Sequence, residues 1–397
     1  MFSSLELFSG AGGMARGLES SGFEHRAFIE FNKDACQSLR ENYTSEIVYE
    51  IDIRKVEFNE FYAVDLIAGG PPCQPFSLGG KHLGKNDNRD MFPYAIKAIE
   101  TLSPKAFIFE NVKGLLRESF SDYFEYIIRR LKQPSHDAKP FKSWTKHLDS
   151  LRQDQNLSNS NLEYDVNYSL VNAADYGVPQ TRERVVIIGT RKDLNINWKF
   201  PKPTHNRDSL SWKKYVTHEY WDRHKVKKSE WDVRPSELKT IKDDLMHKFG
   251  LFAPTRSPWL TVRDAISDLP NPQSNHGIYD HTYKDGARSY YGHSGSDYDL
   301  PSKTIKAGGH GVPGGENMIR FRNNKIRYFT ILEAKRIQTF PDDYVISGTW
   351  GEAMRQIGNA VPVRLAHVFG SELFGLLRAS SNSFLKVVPQ HRNRVAV

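Results

Sequence analysis

One cysteine lies where a thiol could act as a nucleophile. Cys73 follows a predicted strand, in the Gly- and Pro-rich turn 69–75. Two prolines stiffen this turn and can hold the thiol in a fixed position, although a lone cysteine is more often an inert core residue. Glu110 ends the next predicted strand, and Arg182 and Arg184 stand together at the start of a later one. A thiol, a carboxylate and paired guanidinium groups at one sheet edge predict a covalent catalytic site.

A second set of residues suits a nucleotide-like ligand. The turn after the first predicted strand opens a helix and contains Phe8, Gly10, Gly12 and Gly13. Small residues let a ligand approach the backbone, and the turn fits the relaxed pattern G-x-G-x-x-A. Glu30 ends the second strand, where a carboxylate can bind ribose hydroxyls, and Asp52 follows the third, where it could contact an adenine amino group. Singly these are ordinary turn or cap residues; together they predict an adenosine-containing cofactor, either NAD or S-adenosylmethionine.

The elements that must position these residues alternate over the first 200 residues. Predicted strands are 5–8, 27–30, 47–51, 65–68, 106–109, 167–171 and 185–188, with helices 13–21, 33–41, 93–102 and 123–131 between them. This order predicts an α/β fold with βαβ units and a mainly parallel, Rossmann-like sheet. Such a sheet binds ligands at the carboxyl ends of its strands, where the candidate residues lie.

The rest of the chain is less regular. Segment 133–161 is polar without clear periodicity and is interpreted as a surface insertion, and 201–323 as a second domain of irregular structure. Helices are predicted at 330–338 and 362–377, the second packing back on the first sheet. We therefore predict a catalytic domain of residues 1–204 and 345–397, and a smaller, irregular domain of residues 205–344.

Composition excludes some classes of protein. The 397 residues contain two cysteines, Cys36 and Cys73, so a disulfide framework is excluded and a reduced, intracellular protein is expected. The first ten residues lack the features of a signal peptide. No apolar run approaches the roughly 18 residues of a membrane helix.

Basic residues are concentrated in one region. The net charge is +8, of which residues 1–200 contribute −2, residues 201–330 contribute +7 and the remainder +3. Four of the seven tryptophans also lie between 201 and 330. Basic residues interleaved with aromatic ones suit a nucleic-acid surface, although a solvated face around a small core has the same composition.

Six motifs together resemble the cytosine-C5 DNA methyltransferase family, in its prokaryotic restriction–modification form. They are FSGAGG at 8–13, PCQPFS at 72–77, ENV at 110–112, QTRER at 180–184, RIQTFP at 336–341 and QIGNAVP at 356–362. The resemblance covers residues 1–200 and about 320–397, whereas residues 205–320 fall where the family has its variable target-recognition region. Glu6 stands where many members have Asp, a position that varies. The implied fold is an S-adenosylmethionine-dependent methyltransferase sheet with a target-recognition domain.

The resemblance implies a role for each catalytic residue. Cys73 would add to C6 of a cytosine that has been flipped out of duplex DNA, which makes C5 nucleophilic. Glu110 would contact N3 and the 4-amino group, Arg184 would hold O2, and Arg182 would support the cysteine loop or a phosphate. The methyl donor would be S-adenosyl-L-methionine, with S-adenosyl-L-homocysteine as product.

It also implies two sets of binding residues. The cofactor residues would be Phe8, Gly10, Gly12, Gly13, Glu30, Asp52, Ile53, Pro72 and Asn359. The DNA-contact residues are expected to be Gln74, Ser77, Lys81, Lys303, Lys306, Arg320 and Arg322, the last four flanking a Gly-rich stretch at 308–315 that is otherwise a flexible linker.

The expected partner is double-stranded DNA, bound by a monomer, with no metal and no membrane. A cytoplasmic, nucleoid-associated enzyme of a prokaryote is expected, paired functionally with a restriction endonuclease.

Three other functions use some of the same residues. A dehydrogenase explains the Gly-rich turn but gives no role to Cys73, Glu110 and the arginines. A tRNA cytosine methyltransferase shares the catalytic residues, but its Cys-Phe-Thr signature is absent from this sequence. A non-catalytic DNA-binding regulator on the same scaffold would have a degenerate Cys or Glu, and both are intact.

Overall fold

The computed structural model describes residues 1–72, 90–136, 140–153, 162–289, 291, 293–307 and 317–387. The strands are β1 Phe2–Leu7, β2 Phe23–Glu30, β3 Val48–Glu50, β4 Leu66–Gly69, β5 Ala106–Val112, β6 Tyr164–Asn172, β7 Glu183–Arg191, β8 His205–Asn206, β9 Ser257–Pro258, β10 Ser296–Asp297, β11 Met318–Arg320 and β12 Ile326–Tyr328. The helices are α1 Gly13–Glu19, α2 Lys33–Asn42, α3 Phe92–Leu102, α4 Ser121–Lys132, α5 Trp144–Gln153, α6 Arg207–Tyr215, α7 Glu219–Arg223, α8 Pro235–Phe249, α9 Val262–Ile266, α10 Ile331–Ile337, α11 Trp350–Asn359 and α12 Val363–Val387.

The first seven strands form one sheet in the order β3-β2-β1-β4-β5-β7-β6. The pairs among β1 to β5 are parallel, while β7 runs antiparallel to both β5 and β6. From β1 the chain adds β2 and then β3 on one side of the sheet, and it then crosses to the other side of β1 to form β4. This switch places a crevice at the carboxyl ends of β1 and β4. The predicted α/β fold with a mainly parallel sheet is confirmed.

Both faces of the sheet are covered, as a buried parallel sheet requires. In β5, Phe107 and Phe109 pack on one face with α3 and α4, and Ile108 packs on the other with α1 and α12. This alternation follows from the two-residue period of a strand. The prediction that the C-terminal helix packs back on the first sheet is confirmed.

Helix α12 approaches α1 closely. A Cβ atom on Gly17 would lie 2.5 Å from the Cβ of Ala366, so only glycine permits this distance between the helices. The stretch Trp350–Asn382, which comprises α11, residues 360–362 and most of α12, is long and apolar enough to cross a membrane by length and composition, a feature not predicted from the sequence. Half of its most apolar 18 residues are buried inside the protein, and Leu365 and Phe369 pack against the sheet, as in a core helix.

Two segments are more regular than predicted. The insertion 133–161 contains helix α5, whose His147, Leu148 and Leu151 are buried against α4. The region 201–323 contains α6 and the 15-residue α8. The interpretation of 133–161 as a polar insertion without periodicity, and of 201–323 as irregular, therefore missed these helices, whose apolar positions with helical spacing find a partner.

The later segments share a core with the first turn of the chain. One cluster of buried residues joins Ala11 to Val262, Ile305, Phe329 and Ile357. The backbone after β1 is thus packed against segments from the last third of the chain. The division into domains 1–204 with 345–397 and 205–344 stays a prediction.

Candidate active site

The carboxyl ends of the parallel strands bring most of the candidate residues to one edge. Phe8 follows β1 directly and Glu30 ends β2. Asp52 is the second residue after β3, and Pro72 is the third residue after β4. Glu110 lies near the end of β5, where it pairs with Val186 of β7. Arg184 of β7 pairs with Val112, the last residue of β5. The site therefore follows from the topology of the sheet.

The turn after β1 has an unusual backbone. Phe8, Gly10 and Gly12 have φ of 55°, 52° and 81°, the left-handed region. A Cβ atom on Gly10 would meet nothing within 4 Å, whereas one on Gly12 would lie 2.4 Å from the Tyr344 hydroxyl oxygen and one on Gly13 2.3 Å from the Val361 carbonyl oxygen. Gly10 faces open space, while Gly12 and Gly13 allow the turn to pack against the C-terminal segments.

Backbone N–H groups hold the Glu30 carboxylate. The N–H of Gly10 donates to Oε2 at 2.8 Å, and the N–H groups of Phe31 and Asn32 donate to Oε1 at 2.9 and 2.8 Å. The residue is 8% exposed. A carboxylate with this many fixed donors is oriented before any ligand arrives.

Asp52 is paired with a neighbouring arginine. Arg54 Nε lies 2.9 Å from Asp52 Oδ1, and the Arg54 N–H donates to the same oxygen at 2.9 Å. These bonds lower the pKa of Asp52 to about 2. Ile53 is buried in the core beside them, with 6% exposure.

Asn359 lies at the end of α11, next to Ala360, whose Cβ would be 3.0 Å from a Cβ on Gly13 of the turn. Its side chain is exposed, although residues 356–358 before it and Ala360 after it are buried. Tyr344 donates from its hydroxyl group to the Ala11 carbonyl oxygen at 2.7 Å, which fixes the C-terminal segments to the turn.

Glu110, Arg182 and Arg184 come together as expected. Arg184 Nε lies 2.8 Å from Glu110 Oε1, but this contact is poorly aligned, so Oε1 is a buried oxygen with no hydrogen-bond partner among the described residues. Arg182 donates from Nη2 to the Gly358 carbonyl oxygen at 2.9 Å, while its Nε and Nη1 have no partner in the described parts of the chain. Burial lowers the pKa of Arg182, and the charge of Arg184 lowers it further.

Hydrogen bonds anchor the two prolines that precede Cys73. Asn111 donates from its side-chain amide to the Pro71 carbonyl oxygen at 2.9 Å, and the Met91 N–H donates to the Pro72 carbonyl oxygen at 3.3 Å. Cys73 itself lies outside the described residues, as do Gln74, Ser77 and Lys81. The described residues that precede Cys73 lie beside Glu110, since a Cβ on Gly70 would lie 3.7 Å from Glu110 Oε2.

The structure places the four remaining DNA-contact candidates on two neighbouring segments. Lys303 bonds Ser294 Oγ at 3.3 Å, and Lys306 follows it in the segment that packs on Gly358. Arg320 pairs with Asp297, and Arg322 is exposed. The Gly-rich stretch 308–315 lies outside the described residues.

Sequence reasoning assigned no role to several residues that build this site. They are Asn111, Gln180, Gln338 and Tyr344, all of which hold backbone groups of the candidate segments. Asn111, Gln180 and Gln338 stand inside the quoted motifs, which was the available signal; Tyr344 stands in none. Among the described residues there is no group of His, Cys, Asp and Glu that could hold a metal ion.

The chain is similar to known proteins along most of its length. The model of the family described as C-5 cytosine-specific DNA methylase matches residues 2–139 and 147–375. The Type II methyltransferase M.PspPI of Psychrobacter sp. is 33% identical over 385 residues, covering 96% of this chain and 80% of that protein. The Type II methyltransferase M.NgoMIV of Neisseria gonorrhoeae is 28% identical over 383 residues, covering 95% and 98%.

Solved structures share the fold at low sequence identity. The S. pombe Dnmt2 methyltransferase superposes with a TM-score of 0.55 and 16% identity, covering 96% of this chain and 99% of that one. The Entamoeba histolytica methyltransferase EhMeth gives a TM-score of 0.53 and 15% identity, with 95% and 99% covered. The architecture described above is thus found along the whole length of both proteins.

Proposed function

The chain belongs to the C-5 cytosine-specific DNA methylase family, and from that premise we propose how this enzyme acts. It is a DNA (cytosine-5-)-methyltransferase that uses S-adenosyl-L-methionine. Our proposal is that it methylates a cytosine flipped out of a short specific duplex sequence, through a bond between Cys73 and C6.

One observation carries the proposal. Glu110 of β5 and Arg184 of β7 form a largely buried pair near the fully buried Arg182, and Asn111, next to Glu110, holds the Pro71 carbonyl oxygen two residues before Cys73. Glu110 Oε1 and two nitrogens of Arg182 have no hydrogen-bond partner among the described residues. Buried polar atoms without partners are costly; a flipped base with polar edges would supply the missing bond to Glu110, and the cysteine loop or a phosphate those to Arg182.

The residues at the turn fit the cofactor. Glu30 presents an oriented carboxylate for the ribose, Gly10 faces open space, and the exposed Asn359 closes the other side. Phe8, Gly12, Gly13, Asp52, Ile53 and Pro72 complete the proposed set. When bound, S-adenosyl-L-methionine supplies the methyl group that C5 takes up.

The chain's own residues prepare C5 for this transfer. The Cys73 thiolate donates its electron pair to C6, which breaks the C5–C6 π bond and makes C5 nucleophilic. Glu110 holds N3 and the 4-amino group, and Arg184 holds O2, so both stabilise the charge that moves into the ring. After C5 is methylated it loses its proton to a base. The electrons of that C–H bond reform the double bond, and the C6–S bond breaks with its pair returning to sulfur.

The second region would hold the duplex. We assign DNA contacts to Gln74, Ser77, Lys81, Lys303, Lys306, Arg320 and Arg322, with residues 205–344 as target-recognition domain and 1–204 with 345–397 as catalytic domain. The enzyme would act as a monomer on DNA in a prokaryotic cytoplasm, associated with the nucleoid, and would protect sites cut by a partner restriction endonuclease. The basic excess in 201–330 and the Type II relatives support this.

The test is transfer of labelled methyl groups from S-adenosyl-L-methionine to mixed-sequence duplex DNA, followed by bisulfite sequencing. We expect C5-methylcytosine at one short sequence; label in tRNA but none in DNA would contradict the proposal. The Cys73→Ser variant should lose covalent trapping on DNA that contains 5-fluorocytosine and retain S-adenosyl-L-homocysteine binding. Trapping by this variant would remove Cys73 from its role.

A further inference from the structure

Two buried glutamines lie where the parts of the site meet. Gln180 and Gln338 are both 0% exposed, and Gln180 Nε2 donates to Gln338 Oε1 at 3.2 Å. We call them the amide pair. Neither side chain reaches the cofactor turn or Glu110 in the hydrogen bonds that the structure gives it. Their effect on the reaction must therefore pass through the segments they bond.

The hydrogen-bond partners fix the direction of both amides. The N–H of Ile305 donates to Gln180 Oε1 at 3.2 Å, which turns Gln180 Nε2 towards Gln338. Gln338 Nε2 then faces two backbone carbonyl oxygens, those of Ile357 at 2.6 Å and Ala360 at 3.2 Å. Because a backbone N–H can only donate and a carbonyl can only accept, flipping either amide would break the chain of bonds.

These bonds complete the end of helix α11. The last carbonyl groups of a helix have no partner within it and need one from elsewhere. Here Gln338 bonds the carbonyls of Ile357 and Ala360, and Arg182 bonds that of Gly358 between them. Asn359, the proposed cofactor residue, is therefore held by a residue of the base-binding cluster and by the amide pair.

The opposite end of the amide pair holds the segment that carries Lys303 and Lys306. Gln180 pairs with Ser302 in a parallel bridge, and the Thr181 N–H donates to the Ser302 carbonyl oxygen at 2.8 Å. The same segment lies directly on α11, since a Cβ on Gly358 would be 2.6 Å from the Ala307 nitrogen. A shift of this segment would thus be felt at both Gln180 and Asn359.

We propose that Gln338 is a positioning residue, and that through the amide pair it couples cofactor binding to DNA binding. The inference rests on the proposed function, because it takes Asn359 as a cofactor residue and Arg182 as part of the base-binding cluster. When Gln338 is in place, the end of α11 has one position, set jointly by Arg182 and by the segment 302–307. Without its donor the carbonyls of Ile357 and Ala360 are left unpaired, and Asn359 no longer has a fixed position.

The chain offers a matched control for the experiment. Gln356 is also a buried glutamine, 2% exposed, and lies on α11, the helix whose end Gln338 holds. It accepts from Ser38 Oγ at 2.7 Å and donates to the Ser347 carbonyl oxygen at 2.8 Å, and neither bond involves the carbonyl groups of residues 357–360. Replacement of a glutamine by methionine preserves length and removes both polar atoms. Gln338→Met, Gln180→Met, the double variant and the control Gln356→Met should therefore all lose buried hydrogen bonds.

The measurements are the affinity for S-adenosyl-L-homocysteine without DNA, the same affinity with a duplex that the wild type methylates, and the melting temperature of each variant. We expect Gln338→Met to weaken S-adenosyl-L-homocysteine binding roughly tenfold without DNA. The factor by which DNA tightens that binding should fall towards one in Gln338→Met and Gln180→Met, and no further in the double variant. Gln356→Met should lower the melting temperature while both affinities stay near those of the wild type.

Two results would overturn the inference. One is a coupling factor in Gln338→Met equal to that of the wild type, or a wild type without coupling; the other is an equal loss of affinity in Gln356→Met, which would make the effect one of general stability. Failure of the proposed function is a different result, because then the wild type methylates no DNA. In that case the DNA-free affinities of Gln338→Met and Gln356→Met still decide whether Gln338 positions the cofactor side.

Discussion

Glu30 and Glu110 are each 8% exposed and lie at the carboxyl ends of strands in the same sheet, yet their surroundings differ. Glu30 accepts three backbone N–H bonds, so both its oxygens are satisfied. Glu110 has a close contact with Arg184, and its Oε1 has no hydrogen bond within the described residues. On the cofactor side, around Glu30, the carboxylate oxygens all have hydrogen-bond donors. On the base side, around Glu110, a carboxylate oxygen is left without one.

The difference shows how one sheet edge can serve two tasks. A carboxylate fixed by backbone groups suits a ligand that is always the same, because little free energy is lost in reorganising the site when the ligand binds. A carboxylate with spare oxygen capacity can form its bonds to a base that arrives only after flipping. Binding of the cofactor and chemistry on the base should therefore respond to different substitutions.

Glu110→Gln should give the largest effect. The amide keeps the size of the side chain but cannot supply a proton to N3, so we expect kcat to fall by about 10²–10⁴-fold. The affinity for S-adenosyl-L-homocysteine should stay within about twofold of the wild type, because Glu30 and Gly10 are untouched. Single-turnover methylation and equilibrium titration measure the two quantities; a parallel loss of affinity would end the distinction between the two sides.

Glu30→Gln should show the opposite pattern. The amide nitrogen would face either the Gly10 N–H or those of Phe31 and Asn32, donor against donor, and the negative charge is lost. We expect S-adenosyl-L-homocysteine binding to weaken roughly tenfold or more, with kcat at saturating cofactor little changed. If kcat instead falls while affinity holds, Glu30 does not belong to the cofactor side.

Gly10→Ala and Gly12→Ala separate ligand contact from packing. Both glycines have positive φ, so alanine adds backbone strain of about 1–2 kcal/mol at either position. Only at Gly12 does the new methyl also strike the Tyr344 hydroxyl oxygen, at 2.4 Å. We expect Gly12→Ala to have the lower melting temperature, and Gly10→Ala to lose more cofactor affinity per degree of melting temperature lost. Equal ratios in the two variants would contradict this.

Arg54→Ala should give the smallest effect, and its size depends on pH. Arg54 lowers the pKa of Asp52 to about 2, below the unfolded value of about 3.9. The stabilisation is therefore complete above the unfolded value and is lost as pH falls from about 4 towards 2. The wild type should melt slightly above the variant at pH 7, by at most about two degrees since the pair is well solvated, and the gap should close in that acid range. A gap that widens in acid would contradict the assignment.

The sheet could be predicted from the sequence because alternation of short apolar runs with amphipathic stretches is a local signal. Helix α8 was missed although Leu238, Ile241 and Leu245 have helical spacing and a proline stands at its start. The frequent Pro, Trp and Lys of the surrounding region favoured an irregular interpretation. Helix α11 was also missed, although Thr349 caps its start and the buried residues Ala353, Met354 and Ile357 have helical spacing.

The site was predictable to the level of motifs and no further. Phe8, Glu30, Glu110 and Arg182 follow from strand ends and resemblance, and the sheet brings them to one edge. The pairing of Gln180 with Gln338 spans 158 residues, and no local pattern announces it. Such contacts depend on the packing of distant segments, which spacing along the chain does not encode.

The bond from Tyr344 to the Ala11 carbonyl joins residues 333 positions apart. During translation, the glycine turn leaves the ribosome long before the residues that hold it are synthesised. A nascent or prematurely ended chain can contain the thiol, Glu110 and the arginines and still lack Tyr344, Gln338 and Asn359. We therefore expect methylation to begin only when synthesis of the chain has passed α11, so that incomplete products leave the DNA unmarked.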